Sequence, residues 1–403
     1  MIEVLKIIHS KLSEAQPVGI DGKTKRSFDA NLSEELETIV RKISNRSYDF
    51  SLYKQKLIIK SHNKTREISI PTIRDKIVIN YLHSIICDKF QAQLDLLPTP
   101  HLMIDDIKKS KESYDCFLKV DIQNFYPNID HELLLGLLQI EFEDEPYLLE
   151  LISKAIKQST VSPKTPSKER IWYNNTVGVP QGLSISGTLA QIYIQEIDQK
   201  YKSNKKIKFY RFVDDILILC QRADLGKLQR SLKRDFKKLK LTIHPFDNTP
   251  DKSTFGDIGS PFEFLGYRFE DERVSVRARS SQKMFENLNA LFVQYKKGEF
   301  PSKKAFYKKL NLKVTGCIID GKRYGWIHFF SMIDDHALLF TLDKFIERNC
   351  EKLNLEYAKV KRYTRAIYEI KDENSKYIVS IKSFDKNLRP KLLSGLRDDV
   401  EYY

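Results

Sequence analysis

The chain lacks several features that would assign it to common protein classes. No apolar stretch reaches about 18 residues, so we expect no membrane-spanning helix. No glycine-rich phosphate loop is present, which argues against a nucleotide hydrolase of that kind. The five cysteines are scattered and form no pair at metal-ligand spacing, which predicts free thiols in a reducing cytoplasm. The first residues mix Glu3 with Lys6, so we expect no secretory signal peptide.

Positive charge, in contrast, is in excess. The 403 residues include 68 Lys and Arg against 54 Asp and Glu, a net charge of +14. Such an excess favours a polyanionic partner and steers association with nucleic acid. The eight histidines are dispersed, and we find no Cys/His cluster, nuclease motif or RNase H domain. The composition therefore predicts a cytoplasmic protein that binds nucleic acid and does not bind membranes.

The segment from Phe209 to Leu219 predicts two apolar strands joined by a tight turn with two adjacent carboxylates. Asp214 and Asp215 repel each other and are costly to remove from water unless a positive charge compensates. A divalent cation, above all magnesium with its oxygen ligands, is a suitable compensator and usually acts on phosphates. An ordinary turn is the alternative interpretation, because Asp is common in turns.

A further carboxylate lies at the end of another predicted strand. Phe117, Leu118 and Val120 are apolar and lead to Asp121, and a helix is predicted to begin near His131. Two-metal catalysis needs carboxylates from separate strand ends that converge on ions about 3.5–4 Å apart. One Asp on one strand and an Asp pair on a distant hairpin is the arrangement of a polymerase palm.

Five segments, in the family's order, resemble the motifs of reverse transcriptases. They are the fingers motif (Ile68–Lys76), the first catalytic motif (Asp121 with Phe125-Tyr126), the Pro-Gln-Gly motif (Val179–Gly187), the aromatic-x-Asp-Asp motif (Phe212–Asp215) and the primer grip (Phe264–Tyr267). One such motif is weak evidence, whereas five at suitable spacing are strong. The resemblance covers roughly residues 15–270 well and the remainder loosely.

The resemblance implies which residues perform the chemistry. Asp121 and Asp214 would be direct metal ligands and Asp215 would support the site, with two Mg²⁺ ions, or Mn²⁺, as the cofactor. Lys252 follows an amphipathic segment, at the position of the family's candidate acid for the pyrophosphate leaving group. A surface lysine is the alternative interpretation for that residue.

The resemblance also implies a substrate site. Arg74, and as a second candidate Arg66, would contact the triphosphate, because a guanidinium makes forked contacts with phosphate oxygens. Tyr126 falls where the family places an aromatic ring under the sugar, which would select deoxynucleotides; a core aromatic is the alternative. Gln181 and Gly182 would lie against the templating pair, with Gly182 allowing close backbone approach.

The implied architecture is an α+β, right-hand polymerase. We expect an N-terminal extension and fingers at residues 1–114, a palm with an antiparallel sheet at 115–268, and a helical thumb-like region at 269–403. The implied partners are an RNA template, a nucleic-acid primer and deoxynucleoside triphosphates, with a dedicated non-coding RNA as a further partner.

The leading functional prediction is a reverse transcriptase of prokaryotic antiviral (phage) defence. The Ser-Gly in Ser184–Gly187 resembles defence-associated and abortive-infection enzymes, where many group II enzymes have Ser-Pro. The alternatives are the enzyme of a retron, a diversity-generating element or a group II intron. A non-catalytic nucleic-acid-binding scaffold predicts loss of a metal carboxylate, and all three are present. Untemplated or protein-primed synthesis stays open, with Tyr402 and Tyr403 as candidate primers in the second case.

Overall fold

The structure is a computed structural model. It describes residues 1–14, 16–61, 64–95, 99–169, 175–246, 252–319, 321–385 and 388–398. Every predicted metal- and substrate-binding residue lies within these ranges. Tyr402 and Tyr403, the candidate priming residues, lie outside the described residues.

Helices and short strands alternate along the described chain. The α-helices are α1 (Ile2–Ser10), α2 (Lys25–Asp29), α3 (Leu32–Ser44), α4 (Ile73–Lys89), α5 (Gln91–Asp95), α6 (Pro100–Ser110), α7 (His131–Gln139), α8 (Pro146–Lys157), α9 (Ser186–Tyr193), α10 (Gln195–Lys202), α11 (Arg222–Lys238), α12 (Ala278–Lys296), α13 (Lys303–Thr315), α14 (Trp326–Phe329), α15 (His336–Lys352), α16 (Tyr363–Glu369) and α17 (Arg389–Asp398). The strands are β1 (Tyr53–Ser61), β2 (Lys64–Ile70), β3 (Cys116–Asp121), β4 (Thr160–Val161), β5 (Lys208–Phe212), β6 (Asp215–Cys220), β7 (Thr254–Asp257), β8 (Phe262–Phe264), β9 (Tyr267–Glu270), β10 (Arg273–Val276), β11 (Cys317–Ile319) and β12 (Lys322–Tyr324).

Packing divides the chain into two compact units. The first contains residues 1–98 and 118–255, and the second contains residues 99–117 and 256–403. These are units of packing, whereas the predicted fingers, palm and thumb are functional divisions with boundaries of their own. That functional division stays a prediction.

A four-stranded sheet with the order β5-β6-β3-β7 contains the strands that carry Asp121 and Asp215. Strands β5 and β6 are antiparallel, and Phe212 is the register partner of Asp215. The connection between them is therefore only Val213 and Asp214, which confirms the strand-turn-strand prediction for this segment. All six residues of β6 are buried. The two carboxylates thus stand at the end of a strand that water does not reach.

Two helices of the first unit follow the sequence pattern. Helix α7 begins at His131, and its N-cap residue Asp130 accepts a hydrogen bond from the Leu133 amide at 3.0 Å. Helix α11 buries Leu228 and Leu232 on one face, which confirms the amphipathic segment expected before Lys252. Both helices bury an apolar stripe, because apolar residues at helical spacing share one face.

The hairpin of β1 and β2 leads into α4. The strands are antiparallel, and β1 also pairs in parallel with β4. Thr72 is the N-cap residue of α4 and accepts a hydrogen bond from the Asp75 amide. The buried Asp75 carboxylate accepts hydrogen bonds from Tyr48 Oη at 2.9 Å, Thr72 Oγ1 at 2.7 Å and the Ser51 amide at 3.2 Å. These contacts fix the start of α4 relative to the hairpin.

The second unit is mainly helical, with a small antiparallel sheet of order β10-β9-β8. The rings of Phe117, Phe262 and Phe269 stack successively, with 4.8 Å between neighbouring ring centroids. Strands β8 and β9 are joined by Leu265 and Gly266, which both have positive φ, 51° and 80°. Positive φ at both central residues is typical of a type I′ hairpin turn. The predicted primer-grip segment is thus a tight hairpin.

The helices and the cysteines bear on two of the sequence predictions. None of the helices in the described ranges combines the length and the apolar character needed to cross a membrane. All five cysteines, each within the described part of the chain, are free thiols, which confirms that prediction.

We expect a buried histidine in the second unit to make the protein less stable in mild acid. His328 in α14 is buried, and burial, with the charges of Arg323 and His101, lowers its pKa to about 4. The unfolded chain takes up this proton near pH 6.5. Because the unfolded state then binds more protons, stability falls as pH drops from about 6.5 towards 4. Between pH 7 and 5 the histidine contributes a loss of about 2 kcal/mol.

Urea unfolding at the two pH values measures this effect. His328→Gln should lose about 2 kcal/mol less than the wild type between pH 7 and 5. His336 is exposed, so His336→Gln is the matched control and should keep the wild-type dependence. An unchanged pH dependence in His328→Gln would contradict the prediction.

Candidate active site

The turn that carries Asp214 has an unusual backbone. Val213 has a positive φ of 58°, a region that β-branched residues rarely adopt. Positive φ at only the first central residue is the pattern of a type II′ turn, where glycine is usual. Such a residue costs about 1–3 kcal/mol and persists only when its surroundings impose the conformation. The strain lies directly beside a predicted metal ligand.

Asp121, at the end of β3, is held by backbone and side-chain contacts. Its amide donates to Ser253 Oγ at 3.1 Å and its carbonyl accepts from the His244 amide at 2.9 Å. Its carboxylate oxygen Oδ2 lies 3.0 Å from Lys252 Nζ and 3.3 Å from His244 Nε2. The structure therefore brings the predicted acid Lys252 directly to the first predicted metal ligand.

Asp215 has a cationic neighbour as well. Lys119 Nζ lies 4.0 Å from Asp215 Oδ1, and both side chains are largely buried. Lys119 and Asp121 are two residues apart on β3, so they lie on the same face of the sheet. Since β3 and β6 are neighbours in the sheet, the three predicted carboxylates belong to adjacent strand ends.

The three predicted carboxylates offer the oxygen ligands that magnesium prefers. Magnesium is usually bound through one or two carboxylates together with substrate phosphates. Lys119 lies beside Asp215, and Lys252 and His244 lie beside Asp121. Within the residues that the structure describes, no group of three or more His, Cys, Asp or Glu side chains is arranged to hold a metal ion. The oxygen-only donors are Asp121, Asp214 and Asp215.

Tyr126 lies close to this carboxylate cluster. Burial and the charge of Asp214 raise the pKa of the tyrosine, while the charges of Arg66 and Arg211 act in the opposite direction. The backbone of Tyr126 is fixed, because its carbonyl accepts a hydrogen bond from the Val179 amide at 2.9 Å. The first catalytic motif and the Pro-Gln-Gly motif are thus joined through their main chains.

The Pro-Gln-Gly motif packs against strand β2. The carbonyl of Gln181 accepts a hydrogen bond from the Ser69 amide at 2.7 Å. Gly182 has a positive φ of 107°, and a Cβ atom there would lie 2.7 Å from Ile68 Cγ2 and 2.8 Å from the Ser69 carbonyl oxygen. Only glycine fits this position. The close approach that the sequence predicted at Gly182 is therefore made to the neighbouring strand.

A cavity of about 290 Å³ adjoins this contact. Its lining comes from the start of α4 and from the Pro-Gln-Gly motif, and consists of Pro71, Lys76, Ile79, Asn80, Gly182, Leu183 and Ser184. Burial lowers the pKa of Lys76 to about 8. The amine donates hydrogen bonds to Gln16 Oε1 and to the Pro17 carbonyl. The cavity beside Gly182 is therefore lined by both polar side chains, such as Lys76 and Asn80, and apolar ones, such as Ile79.

The two predicted triphosphate-binding arginines have different surroundings. Arg74 donates to Glu35 Oε2 through Nε, at 2.8 Å, and through Nη2. Glu35 also pairs with Lys23 at 2.9 Å. Arg66 lies on β2 and contributes to the electrostatic field at Tyr126. The structure thus pairs Arg74 with helix α3, whereas Arg66 acts on Tyr126 through its charge.

Sequence reasoning missed three residues that contact the cluster (Lys119, His244 and Ser253) and a fourth, Arg211, that contacts the turn beside Asp214. Lys119 could have been found, because it is two residues before Asp121 on a predicted strand and so shares its face. Arg211 lies within the predicted hairpin, but no role was predicted for it. His244 and Ser253 carry no local sequence pattern, because only the fold brings them to Asp121.

The adjacent strand ends, their carboxylates and the cationic neighbours define a polymerase palm. A family model described as "Reverse transcriptase (RNA-dependent DNA polymerase)" matches residues 54–269, more than half of the chain. The chain belongs to the reverse transcriptase family.

Similar proteins are remote in sequence. The "Group II intron-encoded protein LtrA" of Lactococcus lactis subsp. cremoris is 24% identical over 247 residues, covering 59% of this chain and 39% of LtrA. The "Protein YkfC" of Escherichia coli (strain K12) is 24% identical over 310 residues, covering 64% of this chain and 77% of YkfC. The chain therefore spans well under half the length of LtrA.

A solved structure supports the fold. The telomerase from Candida albicans, solved with the TWJ fragment of telomeric RNA, aligns with a TM-score of 0.50 and 13% sequence identity. The alignment covers 93% of this chain and 66% of the telomerase chain. Together with the family membership, this confirms the predicted α+β, right-hand polymerase fold.

We expect Gly182→Ala to damage the site. A side chain must adopt a φ of 107° and approach Ile68 and Ser69 within 3 Å, so the variant should lose about 1–3 kcal/mol of stability and most of its activity. Thermal unfolding and primer extension measure the two effects. Gly187 is the matched control, since a Cβ there meets open space in α9. Gly187→Ala should be neutral or stabilising by up to about 1 kcal/mol.

Proposed function

We propose that this protein is a metal-dependent, RNA-directed DNA polymerase that joins deoxynucleotides on an RNA template. The observation that carries the proposal is the placement of Asp121 and the Asp214–Asp215 pair at adjacent strand ends of a reverse transcriptase-family chain. A non-catalytic scaffold is the rival, and it would not need to retain all three carboxylates beside Lys252. We further propose the division into fingers (1–114), palm (115–268) and thumb (269–403).

Asp121 and Asp214 are the proposed metal ligands, and Asp215 supports them. Bound Mg²⁺, or Mn²⁺, would activate the attacking hydroxyl and neutralise the triphosphate. Lys119 beside Asp215 lowers the cost of burying that carboxylate. His244 and Ser253 hold Asp121 in a fixed orientation through contacts of 3.3 and 3.1 Å.

Lys252 is the proposed source of the proton for the pyrophosphate leaving group. Its Nζ lies 3.0 Å from Asp121 Oδ2, so the amine would stand next to phosphates bound at the proposed metal site. From there it would donate a proton to the pyrophosphate oxygen as the bond to the leaving group breaks.

The nucleotide is proposed to lie between Tyr126 and Arg66. The ring of Tyr126 takes the sugar side, and Arg66 supplies forked donors to the triphosphate. The charges of Asp214 and Arg66 both act on the pKa of Tyr126, in opposite directions, which supports this pairing. Arg74 is the weaker candidate, because its fork is already directed at Glu35. Gln181 and Gly182 are assigned to the templating pair.

The proposed partners are an RNA template, a nucleic-acid primer and deoxynucleoside triphosphates, with a dedicated non-coding RNA as a further partner. The excess of positive charge supports a nucleic-acid partner.

For the biological role we propose antiviral defence, supported by the Ser-Gly pair in Ser184–Gly187. The intron-encoded relatives favour an intron-related role as the second candidate. Sequencing the nucleic acid that co-purifies with the protein distinguishes the two.

We expect Asp214→Asn to abolish most synthesis while the protein stays folded. The change keeps the shape of the side chain and removes its negative charge, so primer extension should fall at least about 10²–10³-fold. Asp372 is exposed in the second unit, and Asp372→Asn should retain wild-type activity. A folded Asp214→Asn protein with near-normal synthesis would refute the proposed function.

We expect Tyr126 to select the sugar by steric exclusion. Removing the ring in Tyr126→Ala should raise ribonucleotide use relative to deoxynucleotide use by at least about tenfold, as the ratio of kcat/KM values. Tyr126→Phe keeps the ring and should keep the wild-type ratio. If Tyr126→Ala leaves the ratio unchanged, the tyrosine is a packing residue and the selecting group lies elsewhere.

A further inference from the structure

The strained turn beside Asp214 is held by a buried cation that the proposed chemistry does not use. Arg211, on β5, is almost fully buried, with 3% of its surface exposed. Its Nε donates to Asp198 Oδ1 at 2.6 Å, and its Nη2 donates to Asp198 Oδ2. Its third nitrogen, Nη1, donates to the carbonyl oxygen of Val213 at 2.9 Å. One side chain thus connects helix α10 to the turn.

The hydrogen bond from Arg211 to the Val213 carbonyl fixes the orientation of a whole peptide group. The carbonyl of Val213 and the amide nitrogen of Asp214 belong to the same planar peptide group. Fixing the direction of that carbonyl therefore fixes the peptide plane from which the Asp214 side chain departs. The turn has only two residues between Phe212 and Asp215, so little other backbone is available to absorb a rotation.

We propose that Arg211 is a positioning residue that imposes the strained conformation of Val213 and so orients the Asp214 carboxylate for metal binding. The inference rests on the proposed function, because it assigns a role to the same site. Asp198 is the anchor that holds the guanidinium, and it is itself fixed by a hydrogen bond from Gln191 Nε2 at 3.2 Å.

The alternative is an ordinary ion pair that stabilises the fold. A buried ion pair is weak evidence for stability, because the cost of desolvation offsets much of the attraction. The third bond is what favours positioning. Only the planar fork of arginine can hold a bidentate carboxylate and reach a carbonyl at the same time, whereas lysine offers a single nitrogen. Arg211→Lys therefore keeps the charge and separates the two roles.

Binding of Mn²⁺ alone, followed by electron paramagnetic resonance, gives a reading that does not require turnover. Arg211→Lys should weaken Mn²⁺ affinity by at least about tenfold and lower kcat by a similar factor. The KM for deoxynucleotide, the affinity for a primer–template duplex and the melting temperature should stay close to wild type. A merely structural role would instead lower the melting temperature and weaken all binding together.

Comparing Arg211→Lys in the wild-type protein and in a Val213→Gly protein tests whether Arg211 acts on the turn. Glycine adopts positive φ without strain, so the turn no longer needs Arg211 to impose it. The loss of Mn²⁺ affinity caused by Arg211→Lys should be at least about fivefold smaller in Val213→Gly than in the wild-type background, as in a double-mutant cycle. An equal loss in the two backgrounds would overturn the proposal.

Asp198→Asn keeps the inference testable if Arg211→Lys does not fold. Asparagine preserves the shape of the Asp198 anchor and weakens its hold on the guanidinium, so Mn²⁺ affinity should fall, as in Arg211→Lys. Wild-type Mn²⁺ affinity in Asp198→Asn would overturn the proposal.

The proposed function and the positioning role can be refuted separately. A protein whose Mn²⁺ affinity depends on Arg211 as predicted, yet whose wild type never extends a primer, refutes the proposed function alone. Normal synthesis and Mn²⁺ binding in Arg211→Lys refute the positioning role alone.

Discussion

Negative charge at the ends of two adjacent buried strands is the constraint on which the rest of the first unit depends. Three carboxylates in one small region would repel each other and lose hydration, so the fold must supply positive charge. It does so with Lys119 at Asp215 and with Lys252 at Asp121, and His244 also contacts Asp121. These cations come from distant parts of the chain. Their convergence makes the site a property of the sheet and the segments beside it.

The same region stores backbone strain. Val213 adopts a conformation that glycine would adopt at no cost. Valine adopts it only because the surrounding contacts impose it. A β-branched residue held by a buried guanidinium gives a turn with one conformation. The strained backbone of Val213 and the hydrogen bond from Arg211 therefore act together to hold the turn in one conformation.

Close approach of backbones organises the neighbouring motif. Gly182 lets the Pro-Gln-Gly loop lie directly against β2, and the Ser69 amide bonds to the Gln181 carbonyl. The same loop bonds to Tyr126 through Val179. A ring assigned to the sugar, a loop assigned to the template and the strand that carries Arg66 are thus linked by main-chain contacts. Such contacts tolerate little movement, because peptide groups are rigid and closely packed.

The sequence by itself determined the local elements and the identity of the charged residues. Runs of apolar residues predicted the hairpin around Asp214 and the strand before Asp121, and helical spacing predicted α11, because these patterns reflect short-range geometry. Only the tertiary structure decided which side chains contact the carboxylates. His244 and Ser253 lie more than a hundred residues from Asp121, and Arg74 is directed to Glu35 instead of towards the cluster. Contacts of that kind depend on how the chain closes on itself, which no local pattern encodes.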